Sequence, residues 1–305
     1  MDFKNVKKSL IQLAVTSVIG FVVTGCGGGA APDSTVIPDK ERKALNTESA
    51  SSIMESLNGL NKTLGDINAE GIVGGNIRVS SMKLAKSMSK LTKMQPTAAS
   101  NAINCSGGGT ISISSSSSAG SITYNKCIES TMYVDGTLSV KGSETAGTIT
   151  ISNFVLKTES NGDMAEASVS SANITYAFGE SYKLNSMELS ANGYAKTTVS
   201  GVEDRVDFKI AKIKVTQSTA LFKGSVKTTC LGGWIVVSTP ETISFNDEGL
   251  SGGKVVISGN DSEITVNIST DGKATLINTD GTETTYANID ALMEELSTGT
   301  CAASL

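Results

Sequence analysis

Ile264-Thr265-Val266-Asn267-Ile268-Ser269 sets an aliphatic side chain at every second position and a small polar one between. A period of two sends alternate residues to opposite faces of a strand, so Ile264, Val266 and Ile268 form a dry face and Thr265, Asn267 and Ser269 a wet one. The alternation recurs at Thr148 to Leu156, Ile174 to Phe178 and Val206 to Val215. In the last run the apolar phase of Val206, Phe208 and Ile210 slips to Ile213 and Val215, which requires a bulge or bend near Ala211. Asp135-Gly136, Asn192-Gly193, Asp271-Gly272 and Asp280-Gly281 punctuate the chain. Each is expected to be a two-residue hairpin turn of type I′, whose central residues need positive φ. At Asp135-Gly136 such a turn would set Tyr133 opposite Leu138 and on one core face with Val140. No strand-helix-strand rhythm appears, so the expected class is mainly β: an antiparallel, hairpin-rich sheet built as a sandwich, an open barrel or a curved layer.

Outward from these strands the period turns helical. Ile53, Leu57, Leu60, Leu64 and Ile67 step by four and three, with Ser52 and Glu55 as a capping box, although a start around Asp39 to Lys43 fits equally well. A second amphipathic stretch, Ser80 to Met94, carries Leu84, Met88 and Leu91 on one side and Lys83, Lys86, Lys90 and Lys93 on the other, the lysines being expected as a solvated face. Pro96 to Asn104 reads as a linker. Ile289, Leu292, Met293 and Leu296 predict a short C-terminal helix.

Met1 to Thr24 has the form of a signal peptide, with Lys4, Lys7 and Lys8 ahead of an apolar stretch from Leu10 to Val23. It ends in Val23-Thr24-Gly25-Cys26. This segment resembles the lipobox of bacterial lipoproteins, which implies a diacylglyceryl group on Cys26 and cleavage that makes Cys26 the first residue of the mature chain. Two or three acyl chains anchor stably, since each buried methylene contributes about 0.8 kcal/mol. Gly27-Gly28-Gly29-Ala30-Ala31-Pro32 then forms a flexible tether. By the sorting rule of enteric lipoproteins, Gly27 in place of Asp implies the outer membrane. The expected organisation is a signal peptide over 1–25, a lipidated tether over 26–38, a helical region and linker over 39–104, and a β-rich domain with its C-terminal helix over 105–305. The mature part looks like β-rich envelope lipoproteins of Gram-negative bacteria, a likeness that implies no particular activity.

Beyond Cys26, Cys105, Cys127, Cys230 and Cys301 remain, an even number that in an oxidising compartment suggests two disulfides. Of three connectivities, Cys105 with Cys127 and Cys230 with Cys301 is preferred. The first bridge would clamp the base of a hairpin from Thr110 to Tyr124 folded around the serine run Ser114 to Ser118, and the second would staple the C-terminal tail to the sheet. Cys105-Ser106-Gly107-Gly108 and Cys230-Leu231-Gly232-Gly233 share a spacing that fits either a duplicated β unit or chance in a glycine-rich chain.

The chain has no histidine, which excludes Ser-His-Asp and Cys-His catalysis and most zinc sites together. A net charge of -5 argues against a nucleic-acid partner. Ser80-Ser81-Met82-Lys83 and Ser87-Met88-Ser89-Lys90 match the Ser-x-x-Lys element of penicillin-binding proteins and serine β-lactamases, but the companion Ser-Asp-Asn and Lys-Thr-Gly elements are missing. Asp271, Asp280 and Glu283 invite calcium, yet Asp-Gly turns explain them as well. Glu203-Asp204 and Glu294-Glu295 are adjacent acids, and neighbours on a strand point to opposite faces. The expectation is therefore no catalytic residue, no metal and no cofactor. It describes a non-enzymatic outer-membrane lipoprotein with a structural or interaction role, bound to the membrane through Cys26, with an envelope protein or an apolar ligand as the partner to expect. A carrier that holds lipid in a curved sheet is the rival reading, and an envelope serine hydrolase comes third.

Overall fold

The computed structural model describes residues 37–45 and 102–292, apart from positions 117, 130–131, 144, 161–162, 180–183, 200, 230–231, 247–248 and 290. Both expected N-terminal helices, the leader and its Cys26, Cys230 and Cys301 lie outside the described residues. Within them the chain is mainly β. The strands are β1 (Ile103–Asn104), β2 (Thr110–Ser115), β3 (Ala119–Glu129), β4 (Met132–Gly142), β5 (Ala146–Ser160), β6 (Asp163–Phe178) and β7 (Leu184–Val199). They continue with β8 (Val202–Thr216), β9 (Thr219–Thr228), β10 (Trp234–Asn246), β11 (Gly249–Ser258), β12 (Glu263–Ile268), β13 (Ala274–Ile277) and β14 (Glu283–Tyr286). Each strand is hydrogen-bonded to its neighbours in the chain, so the order runs from β1 to β14 as one open antiparallel meander of 14 strands. Two compact units divide it: the first holds β1 to β7 and β8 through Arg205, the second holds β8 from Val206, β9 to β14 and residues 37–45.

In the first unit the alternation of the sequence becomes rows across the sheet. Val140, Ile149, Ile174 and Leu189 occupy successive strands in register and are buried. The rows are interrupted along one line. β3 carries an extra residue opposite Asp135, β5 an extra residue opposite Gly136, and β6 an extra residue, Ser170, opposite β7. Lys126 and Asn153, on this line, have φ of 48°. The polar groups freed by the irregularities find partners: Lys126 N donates to Asp135 Oδ1 at 3.1 Å, and Ser170 Oγ donates to the Asn192 carbonyl at 3.0 Å. Bulges aligned in this way let each strand change apolar phase together with its neighbour, from Ile151 to Phe154 on β5 and from Val169 to Ala172 on β6.

This corrects the expected turns at Asp135-Gly136 and Asn192-Gly193. Both dipeptides lie inside long strands, β4 and β7, and Tyr133 faces Ile128 and Lys157 on the flanking strands instead of Leu138. Gly136 has a φ of 112°, and a Cβ there would stand 2.4 Å from the Asn153 carbonyl oxygen. The glycine is required by the bulge, where the neighbouring backbone comes closest.

In the second unit the phase slip expected near Ala211 is present, with Ile210 opposite Gly224 and Lys212 opposite Lys223. Val206, Phe208, Ile210, Ile213 and Val215 are all buried. Pro240 lacks an N–H, and the β9–β10 ladder lapses between Ile235 and Ile243. Thr239 fills part of the gap: its buried hydroxyl accepts the Phe222 N–H at 2.6 Å. Ile264, Val266 and Ile268 are buried as expected, but so is Thr265 on the supposed wet face, its hydroxyl donating to Glu263 at 3.4 Å.

Asp271-Gly272 and Asp280-Gly281 are turns, joining β12 to β13 and β13 to β14, though they are longer than the expected two-residue loops. Ser269 N donates to the Lys273 carbonyl and Asn278 N to the Thr282 carbonyl, with Gly272 and Gly281 at φ of 81° and 82°. That is a three-residue hairpin whose last position needs the left-handed conformation, and glycine supplies it.

Residues 37–45 form a strap, and the alternative helix start around Asp39 to Lys43 is a single 3₁₀ turn. After a 3₁₀ turn at Asp39–Glu41, Arg42 bridges Trp234 in parallel, Lys43 N donates to the Trp234 carbonyl at 2.8 Å, and Asn260 N donates to the Lys43 carbonyl at 2.9 Å. Ile37 and Leu45 are buried at its two ends. At the other terminus Asn288 caps a helical turn, its Oδ1 accepting the Ala291 N–H at 2.8 Å, and Leu292 is buried behind it. Met293 and Leu296 lie outside the described residues.

Candidate functional site

Among the described residues, a dense polar constellation crosses β5 to β8 on the face opposite the buried apolar rows of the first unit. Register sets Lys157 opposite Glu166 and Glu166 opposite Lys196. Lys157 Nζ lies 3.2 Å from Glu166 Oε2, and Lys196 Nζ lies 3.3 Å from Glu203 Oε2, so charge alternates in sign from strand to strand. Two residues from Lys196, Tyr194 donates its hydroxyl to Glu166 Oε1, and the Arg205 guanidinium stacks 4.0 Å from the Tyr194 ring centroid.

Burial of Glu166 works to raise its carboxyl pKa. Hydrogen bonds from Tyr194 and Lys157, with the positive charges of Lys157 and Lys196, outweigh it and hold the carboxyl below the ordinary glutamate range. Tyr194 is pushed up, first by its bond to the Glu166 carboxylate and then by burial. The carboxylate therefore stays ionised and the phenol stays protonated through the neutral range. General acid–base work requires a group poised to exchange its proton near working pH, and this pair is held away from that condition on both sides. Ser168 also bonds to the Tyr194 oxygen.

On the same face, two uncharged rows cross β2 to β7. One runs Ser112, Thr123, Thr137, Ser152, Ser171 and Asn192. The other runs Ser114, Ser121, Ser139, Thr150, Asn173 and Ser190. Hydroxyls within them meet, Thr123 with Thr137 at 3.2 Å and Ser114 with Ser121 at 3.1 Å. Such a surface offers neutral hydrogen bonds from hydroxyl and amide groups.

The chain matches no protein-family model and no curated protein sequence.

Among the residues singled out from sequence, Cys105 and Cys127 are bonded to each other, with Cα atoms 5.5 Å apart, at the base of the β2–β3 hairpin. Their sulfurs and a Glu129 carboxylate oxygen lie within 4.8 Å of one another. The disulfide removes the thiolates a metal would need, and Glu129 accepts from both the N–H and the hydroxyl of Ser106. Asp271 and Asp280 do not converge, because their turns close opposite ends of β13. Asp271 is drawn down to about 2 by bonds from Lys273 and Ser269, and Asp280 is lowered by bonds from Thr282. Both acids are engaged in holding their own hairpins. Glu203 belongs to the charge ladder. Cys26, Ser80, Lys83, Ser87, Lys90, Cys230, Cys301 and Glu294-Glu295 lie outside the described residues.

Sequence reasoning missed the ladder, because Lys157, Glu166, Lys196 and Glu203 are spread over some 50 residues and meet only through strand register. The aligned bulges, by contrast, left a trace. The apolar phase slips between Ile151 and Phe154 and between Val169 and Ala172, the same signal that located the irregularity at Ala211.

Proposed function

We propose that this chain is a non-enzymatic lipoprotein, held at the outer membrane by acyl chains on Cys26, whose β-rich body has a structural or interaction role in the cell envelope. The observation that carries the reading is Val23-Thr24-Gly25-Cys26 at the exit of an apolar run preceded by three lysines. The strap supports it. Ile37 enters the core eleven residues after Cys26, which suits a tether whose pull must reach the folded body. A chain without histidine, whose dense polar cluster holds its carboxylate ionised and its phenol protonated, suits a role in binding rather than in turnover. Within the first unit, bulges aligned over several strands favour a curved layer over a flat one, since each raises local twist.

Metabolic labelling with radioactive palmitate tests the reading. In a bacterial host the wild-type product takes up label and fractionates with membranes, and a Cys26→Ser variant takes up none and is released by osmotic shock. Absence of label on the wild type, or equal label on both, overturns it.

A further inference from the structure

The second unit concentrates positive charge on one sheet face. Between Val206 and Thr228 the chain carries Lys209, Lys212, Lys214, Lys223 and Lys227 against the single acid Asp207, within a molecule of net charge -5. Alternation sends these lysines to the side opposite the buried Val206, Phe208, Ile210, Ile213 and Val215, and the bulge at Ala211 keeps them on that side along the whole of β8. Lys212 stands directly opposite Lys223. Trp234, the one tryptophan, lies opposite Lys227, with Lys209 Nζ 5.0 Å from its ring centroid. A half-buried indole among lysines is the pairing that membrane–water interfaces favour.

From these positions we infer that the outward face of β8 and β9 docks on anionic lipid headgroups. The occupant follows from charge complementarity and from continuity with the anchor. The Trp234 carbonyl holds the strap at Lys43, and the strap begins at Ile37, eleven residues from Cys26. That length of chain spans at most about 40 Å, which keeps the unit that carries the lysines close to the bilayer. This step rests on the lipid-anchor reading for the membrane's proximity, and its test is independent of the acyl group.

The chain from Gly27 onward, which lacks both leader and lipid, is sedimented with vesicles of phosphatidylcholine alone or with phosphatidylglycerol added. Binding to the anionic vesicles only, abolished by high salt, is expected. Each lysine near a charged bilayer contributes about a fivefold gain in partitioning, so Lys214→Gln with Lys223→Gln lowers it roughly 25-fold at unchanged circular dichroism. Lys141→Gln, in the other unit, leaves partitioning as it was. Equal binding to both vesicle types, no binding, or capture by soluble heparin without capture by anionic vesicles overturns the inference. Loss of palmitate labelling with vesicle binding intact would remove the anchor and leave this surface standing; the reverse pattern would remove the surface alone.

Discussion

Glu166 shows how one side chain's behaviour depends on its strand neighbours. It is nearly buried, yet three groups on β5 and β7 keep it charged: Lys157, Lys196 and the Tyr194 hydroxyl. Because its folded pKa is depressed, the stabilisation it supplies is complete above the ordinary glutamate pKa and is lost as pH falls through the lower folded value. In Glu166→Gln the charge is gone at every pH. The melting-temperature gap between wild type and variant is thus widest near neutrality and closes as pH drops below the usual glutamate range. A gap that stayed constant on acidification would contradict the ladder. The residue's sequence context, Met164-Ala165-Glu166-Ala167-Ser168, announces an outward strand position and nothing about its partners, since those arrive from strands whose register is set elsewhere.

At the scale of elements, the same dipeptide chemistry took two courses. Asp271-Gly272 and Asp280-Gly281 turn the chain, whereas Asp135-Gly136 continues a strand and marks a bulge. Positive φ at glycine serves either purpose, and the choice rests on whether neighbouring strands extend past the point, which a local window does not contain. The strap is the other element whose form escaped the sequence. Asp39 to Lys43 has enough charge and turn propensity for a helix start, but the segment makes a single 3₁₀ turn and then bonds to β10 and the β11–β12 turn, with Ile37 and Leu45 buried. Truncating the fully buried Ile37 to alanine should lower unfolding free energy by about 2–5 kcal/mol in urea titration. An unshifted midpoint would mean that the strap is not part of the cooperative fold.

For the whole molecule, the division into two compact units, each with its own buried core, predicts calorimetric unfolding in more than one transition. Cys105–Cys127 closes a loop of 22 residues inside the first unit, a constraint of about 3 kcal/mol on the chain-entropy model. Reductant is therefore expected to lower one transition and leave another in place. A single transition that moves as a whole would show instead that the 14 strands melt as one body. The strand order itself asks little of long-range pairing, because every strand bonds to its neighbours in sequence.

Sequence alone determined the β class, the dry faces at Val206 to Val215 and Ile264 to Ile268 and the slip at Ala211, and it favoured the clamped hairpin at Cys105–Cys127 over the other pairings. All are carried by side-chain periodicity or by partners close along the chain. Tertiary structure alone decided which Asp-Gly steps turn, where the strap lies, and which charges meet across β5 to β8. Those outcomes depend on register between strands, and register is a property of pairs of segments that no single segment encodes.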